Sequence, residues 1–340
     1  MASTAPNVEN LFKQPSLTTL QTHMLDQERR FPESQGALSW IVSALGISAK
    51  TIAARLKRAR IEDVLGDIGT ENVQGENQQK LDVIANEVLI QVLRGRDGVG
   101  IIGSEEDDEL IVVNSCAADS PRYAVLFDPL DGSSNLDVGG SVGTIFSIFK
   151  MDDENENALK KGRDQVAAGY VLYGSSTIFV LTTGSGVHMF VLDPAVGAFM
   201  LVEENLRIPD FGKLYSVNEA NADSFSAGFQ DYLAQCKAQG FSSRYSGAMV
   251  ADVHRVLMKG GIFLYPATEK APNGKLRLMY EANPMAMIIK EAGGGSSTGE
   301  ESILDIEPKE LHQRTPVILG SNDNVADLMG CLNGTPTLVS

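Results

Sequence analysis

The segment Phe127-Asp128-Pro129-Leu130-Asp131-Gly132-Ser133-Ser134-Asn135-Leu136-Asp137 sets two carboxylates three residues apart directly after an apolar run. Tyr123 to Phe127 predicts a buried strand, and Pro129, with no N–H to donate, predicts its end. Asp128 and Asp131 are therefore expected in a loop beyond the strand's carboxyl end, where open α/β sheets bind their ligands. With a backbone carbonyl between them, Leu130 being the candidate, they form an all-oxygen donor set of the kind that Mg²⁺ or Mn²⁺ takes. Gly132, Ser133 and Ser134 follow as a turn suited to open a helix, whose free N–H groups and small side chains accept a phosphate.

A second acidic string has the same placement. Gly103-Ser104-Glu105-Glu106-Asp107 follows the strand-like Val99 to Ile102. Two neighbouring carboxylate-rich loops at one sheet end repel each other unless cations hold them, which is the construction of two-metal phosphatases.

Composition narrows the partners. The 340 residues carry a net charge of −16, which excludes a general nucleic-acid or anionic-membrane surface, since either needs a basic face. Any phosphate site must then be locally basic. No apolar run is expected to cross a membrane, and the first residues lack the basic-then-apolar pattern of a signal peptide. A cytoplasmic enzyme is the expectation, with the plastid stroma as the alternative where a transit peptide has been removed. Cys116, Cys236 and Cys331 form no Cys-x-x-Cys, so neither a disulfide framework nor a zinc cluster is indicated.

Along the chain, residues 1–33 are polar and irregular and read as an arm. Leu38, Ile41, Val42, Leu45, Ile52 and Leu56 recur at helical spacing and predict a helix over about 36 to 59, with Ser34 or Ser39 available as its cap. Gly66 to Gln79 has no apolar period and reads as a loop. A second amphipathic helix is set by Leu81, Ile84, Ala85, Val88, Leu89 and Val92. Strand-like runs follow at 100–103, 111–114, 123–127, 144–149, 167–173, 178–182 and 188–192. Helices return at about 223–238, 249–258 and 283–292, around an apolar strand at 261–265. The pattern changes near residue 205, giving an arm (1–33), a first domain (34–205) and a second (206–335).

The Asp128-to-Asp137 string resembles the metal-binding signature of the Mg²⁺-dependent, lithium-sensitive sugar and inositol phosphatases, and within them the fructose-1,6-bisphosphatase family. The resemblance runs from about Ser16 to about Asp327. It implies an α/β fold, a layered α/β/α/β/α sandwich, in a homotetramer. It also implies hydrolysis of the 1-phosphate of fructose 1,6-bisphosphate with about two or three Mg²⁺ or Mn²⁺ ions per subunit. By the same resemblance Glu105, Glu106, Asp128, the Leu130 carbonyl, Asp131 and Glu281 are metal ligands. Asp82 and Glu106 orient or deprotonate the attacking water, and Glu76 closes the site on its loop. Asp131, Gly132, Ser133 and Ser134 contact the reacting end of the substrate. Asn218, Arg244, Tyr245, Tyr265 and Lys275 contact the sugar and the phosphate that stays, the Arg reaching into a neighbouring subunit's site.

Two departures stand out. Asn221 occupies a position where many relatives carry Tyr. At the family's AMP site, Gln35-Gly36-Ala37-Leu38-Ser39 keeps only the second of two hydroxyls and Lys150 replaces an Arg, which implies weak AMP inhibition. The alternatives within this reading are a sedoheptulose-1,7-bisphosphatase or a dual-specificity bisphosphatase, and more remotely a non-catalytic metal-binding sensor of sugar phosphates.

Overall fold

The computed structural model describes residues 17–30, 36–71, 77–113, 122–151 and 158–335. The chain runs through α1 (Leu20–Arg30), α2 (Ala37–Arg58), β1 (Asp67–Glu71), β2 (Asn77–Gln79) and α3 (Lys80–Arg94). It then lays down β3 (Val99–Ser104), β4 (Ile111–Val112), β5 (Tyr123–Asp131), β6 (Val142–Lys150), β7 (Gln165–Tyr173), β8 (Thr177–Thr182), β9 (Val187–Asp193) and β10 (Ala198–Glu203). These last eight strands form one sheet in the order β10-β9-β8-β7-β6-β5-β3-β4. The pair β3–β5 is parallel, and its neighbours are antiparallel.

The second half contributes β11 (Leu214–Ser216), α4 (Ala227–Ala238), β12 (Ser242–Ser243), α5 (Met249–Lys259), β13 (Ile262–Tyr265) and β14 (Leu276–Arg277). It ends with α6 (Asn283–Glu291), β15 (Gly295–Ser297), β16 (Arg314–Thr315), β17 (Val317–Gly320) and α7 (Asn322–Leu332). A five-stranded sheet of order β12-β11-β13-β17-β15 results, beside the small pair β14–β16.

Alternation along each strand decides the layering, because successive side chains point to opposite faces. On β5, Tyr123, Val125 and Phe127 join a core with Met24, Ile41, Leu45, Leu81 and Leu89 of α1, α2 and α3. Ala124 and Leu126, between them, face Val253 and Leu257 of α5 and Met285 and Ile288 of α6. That same middle core takes Phe263 and Leu319 from the smaller sheet, whose other face, through Ile262 and Leu264, covers Tyr232 and Leu233 of α4 and Leu328 of α7. The result is the expected α/β/α/β/α sandwich, each sheet buried on both faces.

Several expectations change. The arm contains α1, which buries Leu20 and Met24; too few apolar residues flank them for a period to show. Gly66 to Gln79 is not a plain loop, because β1 and β2 pair antiparallel, Asp67 with Gln79 and Glu71 with Asn77. The expected helix from 223 is a 3₁₀ turn, Glu219–Ser224, followed by α4. One helix, α2, does reach the length and hydropathy of a membrane span (1.4), but 56% of that window is buried, so its apolar residues serve the core.

The sheet depends on close approach at Gly169 of β7, which lies opposite Phe146 of β6. A Cβ there would meet the Phe146 ring at 2.3 Å and the Val180 carbonyl oxygen at 2.6 Å. Gly169→Ala is expected to lose about 1–3 kcal/mol of stability in urea unfolding; an unchanged midpoint would refute this reading of the contact.

Candidate active site

Pro129 does not end β5. The pairing with β6 slips by one residue, from Asp128 opposite Ile145 to Asp131 opposite Gly143, and this bulge absorbs the proline. The Asp128 Oδ1 accepts the Leu130 N–H at 2.9 Å, and the Thr144 hydroxyl donates to the Pro129 carbonyl at 2.9 Å, fixing the bulge. In a regular strand, residues three apart face opposite ways. One extra residue restores a shared side, and Asp128 and Asp131 converge with Glu281 so that one oxygen from each lies within 4.8 Å of the others. The two aspartates are thus in the strand, not in a loop beyond it.

Gly132 then turns in the left-handed region (φ 74°) into a six-residue 3₁₀ helix, Ser133–Val138, in place of the anticipated α-helix start. A Cβ on Gly132 would lie 2.4 Å from that of Ala248, so only glycine lets the turn pass this close to α5. Contact is completed by Asp131, whose two oxygens accept the N–H groups of Met249 (3.1 Å) and Val250 (2.8 Å) at the N-terminus of α5.

Glu105 and Glu281 reach the cluster from other elements. The N–H of Glu105, just past β3, donates to the Phe127 carbonyl at 3.1 Å. Glu281 sits in a π-helical turn, Leu278–Ala282, ahead of α6. Its Oε2 accepts the Arg277 N–H at 2.6 Å. The Arg277 guanidinium lies 2.9 Å from Glu105 and 3.9 Å from Glu281, all three buried. Glu105 therefore stands beside the converging trio, on Arg277, and Glu106, half-buried, faces Asp82. Leu130 lies in the bulge with its side chain buried. Glu76 lies outside the described residues.

Burial followed by the charges of Glu105, Asp131 and Glu281 pushes Asp128 well above the usual carboxylate range. Asp131 is pushed up to about 7 by burial, against the pull of the Val250 and Met249 N–H groups. Asp82, in the first turn of α3, is also at about 7, again through burial and then Glu106 and Glu105, opposed by the Gln79 N–H at 2.9 Å and the Ser133 hydroxyl. Asp128, Asp131, Glu105 and Glu281, with one guanidinium set against the two glutamates, outnumber the positive charge beside them. With oxygen donors alone, they fit a hard divalent cation.

Beside this cluster lies a cleft of about 470 Å³, lined by Asp131, Gly132, Ser133 and Ser134 of the turn and by Tyr245, Tyr265 and Lys275 from the second half. Burial lifts Tyr245 to about 12, helped by Tyr265, Asp252 and Asp131, so its hydroxyl remains a donor at neutral pH. Arg244 and Asn218 do not line it. Arg244 is exposed and donates to the Ser243 carbonyl at 2.7 Å, and Asn218 caps the 219–224 turn, its Oδ1 accepting the Ala220 N–H at 3.2 Å. Sequence reasoning missed Arg277 and Asp252. Arg277 shares strand parity with Lys275, its one visible cue; Asp252 looks like any acid in a helix's first turn.

The N-terminal domain model of fructose-1,6-bisphosphatase matches residues 18–204, and the C-terminal domain model matches residues 208–333. The chain belongs to the fructose-1,6-bisphosphatase family. Curated relatives include the class 1 fructose-1,6-bisphosphatases of Chlorobaculum parvum, 50% identical over 91% of this chain and 96% of that one, and of Persephonella marina, 50% identical over 91% and 97%. Among solved structures, holo Leishmania major fructose-1,6-bisphosphatase superposes with a TM-score of 0.88 at 39% identity, covering 94% of this chain and 99% of that one. The fructose-1,6-bisphosphatase family is metal-dependent, in keeping with the acidic cluster.

The three raised aspartates have a measurable consequence. An acid whose folded-state pKa exceeds its unfolded value holds more protons folded than unfolded between the two, so stability falls as pH rises through that interval. In EDTA the thermal midpoint is expected to drop between about pH 4 and about pH 7, and excess divalent cation to reverse the drop. A midpoint that climbs over the same range in EDTA would contradict the assigned shifts.

Proposed function

We propose that the protein hydrolyses the 1-phosphate of fructose 1,6-bisphosphate, giving fructose 6-phosphate and phosphate, in the cytoplasm and as a homotetramer. The observation that carries the reading is the convergence of Asp128, Asp131 and Glu281 at a cleft that also presents the Gly132–Ser134 turn, Tyr245, Tyr265 and Lys275. In this reading Asp128, Asp131, Glu281, Glu105, Glu106 and the Leu130 carbonyl hold about two or three Mg²⁺ ions, Mn²⁺ being an alternative. When bound, those cations supply Lewis-acid polarisation of the phosphoryl oxygens and offset charge on the departing sugar oxygen.

The chain's own groups do the remainder. Ser133 and Ser134 offer hydroxyls and N–H groups to the reacting phosphate from a short helix start. Asp82, at about 7, is balanced between accepting and giving a proton near neutral pH, as a general base for water requires. Lys275 and Tyr245 bind the far end of the substrate. Arg244, exposed, is free of the subunit's own cleft and suited to a neighbour's, which makes the tetramer part of the reading.

Asp131→Asn keeps volume and one oxygen acceptor for α5 but removes the charge. It is expected to lower phosphate release by more than about a hundredfold with the fold retained by circular dichroism; a near-wild-type rate at saturating Mg²⁺ would exclude the site. Parallel assays with fructose 1,6-bisphosphate and sedoheptulose 1,7-bisphosphate, each with Mg²⁺ and with EDTA, fix the substrate.

At the start of α2, Gly36 is left-handed, and the Ser39 hydroxyl is buried without a hydrogen-bond partner among the described residues. That hydroxyl is left to contact a nucleotide phosphate, but Gln35 supplies no second one and Lys150 stands in place of an Arg. AMP is expected to inhibit about thirtyfold or more weakly than a full set of contacts permits, and inhibition of the purified enzyme by micromolar AMP would refute this.

A further inference from the structure

We infer that Asp252 is a positioning residue for substrate binding: it holds the Tyr245–Ala248 turn, and so the far-phosphate end of the cleft, in register with the carboxylate cluster. The inference rests on the assignment of Tyr245 and Arg244 to the phosphate that is not cleaved.

Asp252 lies in the first turn of α5, is 3% exposed, and lines the cleft. A fixed carboxylate on the wall of a cleft that receives a polyanion opposes binding by its charge, so its presence calls for a role achieved through other groups. Its two oxygens are each 3.0 Å from the Ser246 N–H; burial raises its proton affinity, and the Ser246 and Gly247 N–H groups oppose that rise. Those donors belong to the residues immediately after Arg244 and Tyr245. From the same residue, the Ser246 carbonyl accepts the Asn135 side-chain amide at 3.1 Å, and Asn135 sits in the 3₁₀ helix begun by Ser133. Ser246 is thus clamped between the helix that follows the phosphate turn and the helix whose N-terminus Asp131 binds.

Packing does not supply this restraint. Gly247 is left-handed (φ 82°), and a Cβ there would meet nothing within 4 Å. The turn is exposed from Ser242 to Gly247. The Arg244 N–H is held on the Tyr215 carbonyl at 2.9 Å; past that anchor, without the hydrogen bonds to Asp252, a permissive glycine in open space loosens the stretch that carries Tyr245.

The test is steady-state kinetics of the full chain with Mg²⁺, on Asp252→Ala and Asp252→Asn beside Tyr245→Phe and Arg244→Ala. Asp252→Ala is expected to raise KM for fructose 1,6-bisphosphate about tenfold while kcat stays within about threefold, the signature of lost uniform binding. Half-saturating Mg²⁺ should not move, and Asp252→Asn, which keeps one acceptor, should fall between wild type and alanine. A role confined to capping α5 predicts instead a lower melting temperature with KM unchanged. A folded Asp252→Ala with KM within about twofold of wild type overturns the inference. Should the alanine variant fail to fold, Asp252→Asn decides alone, and an unchanged KM or a second failure to fold overturns it equally. If Tyr245→Phe and Arg244→Ala leave KM unchanged, the far-phosphate assignment is what fails. If they raise KM and Asp252→Ala does not, only the role of Asp252 fails.

Discussion

Asp128, Asp131, Glu105 and Glu281 occupy one water-poor cluster, and each raises the proton affinity of its neighbours. Carboxylates gathered this way repel, and the surrounding architecture reads as the set of devices that keeps them together. A bulge turns two strand residues to one side. A π-helical turn brings Glu281 in from the second half, and Arg277 lies against both it and Glu105. The N-terminus of α5 supplies two N–H groups to Asp131, where the helix dipole favours negative charge. The repulsion left over is the driving force for taking up a hard cation, and its binding competes with protons at the same oxygens.

Much of the scaffold was legible because periodicity is a local property. Short, mainly apolar runs at 123–127, 144–149 and 167–173 marked strands that are observed as β5, β6 and β7, and the helical spacing of Ile41, Leu45 and Ile52 marked α2. What escaped depends on partners distant in sequence. Pro129 reads as a stop when one strand is considered alone; that β5 continues is a matter of its register with β6. The β1–β2 hairpin is glycine-rich and polar, so it carries no apolar signal. Asp82 looks solvent-facing by its own helix pattern, yet it is 4% exposed because the Ser133 turn and the acidic string after β3 close over it.

The carboxylate cluster was approached in sequence through strings rather than through distances. The strings located Asp128, Asp131 and Glu281, which converge, Glu105, which joins them beside Arg277, and Glu106, which faces Asp82. Nothing in Lys275-Leu276-Arg277 shows that, of two basic residues lining one cleft, Arg277 is the one that pairs with the buried acids; Glu105 and Glu281 arrive from other parts of the chain.

The middle layer of the sandwich has a consequence for how the molecule comes apart. Helices α5 and α6 are followed in the chain by strands of the smaller sheet, yet they cover Leu126, Ile145 and Phe149 of the larger one. A fragment ending near residue 205 would leave that whole face of its sheet wet, and the complementary fragment would carry two helices with apolar residues on sides that have lost their partner. The two family-model segments therefore share one core, and limited proteolysis between them is expected to yield a nicked but associated molecule rather than two stable halves.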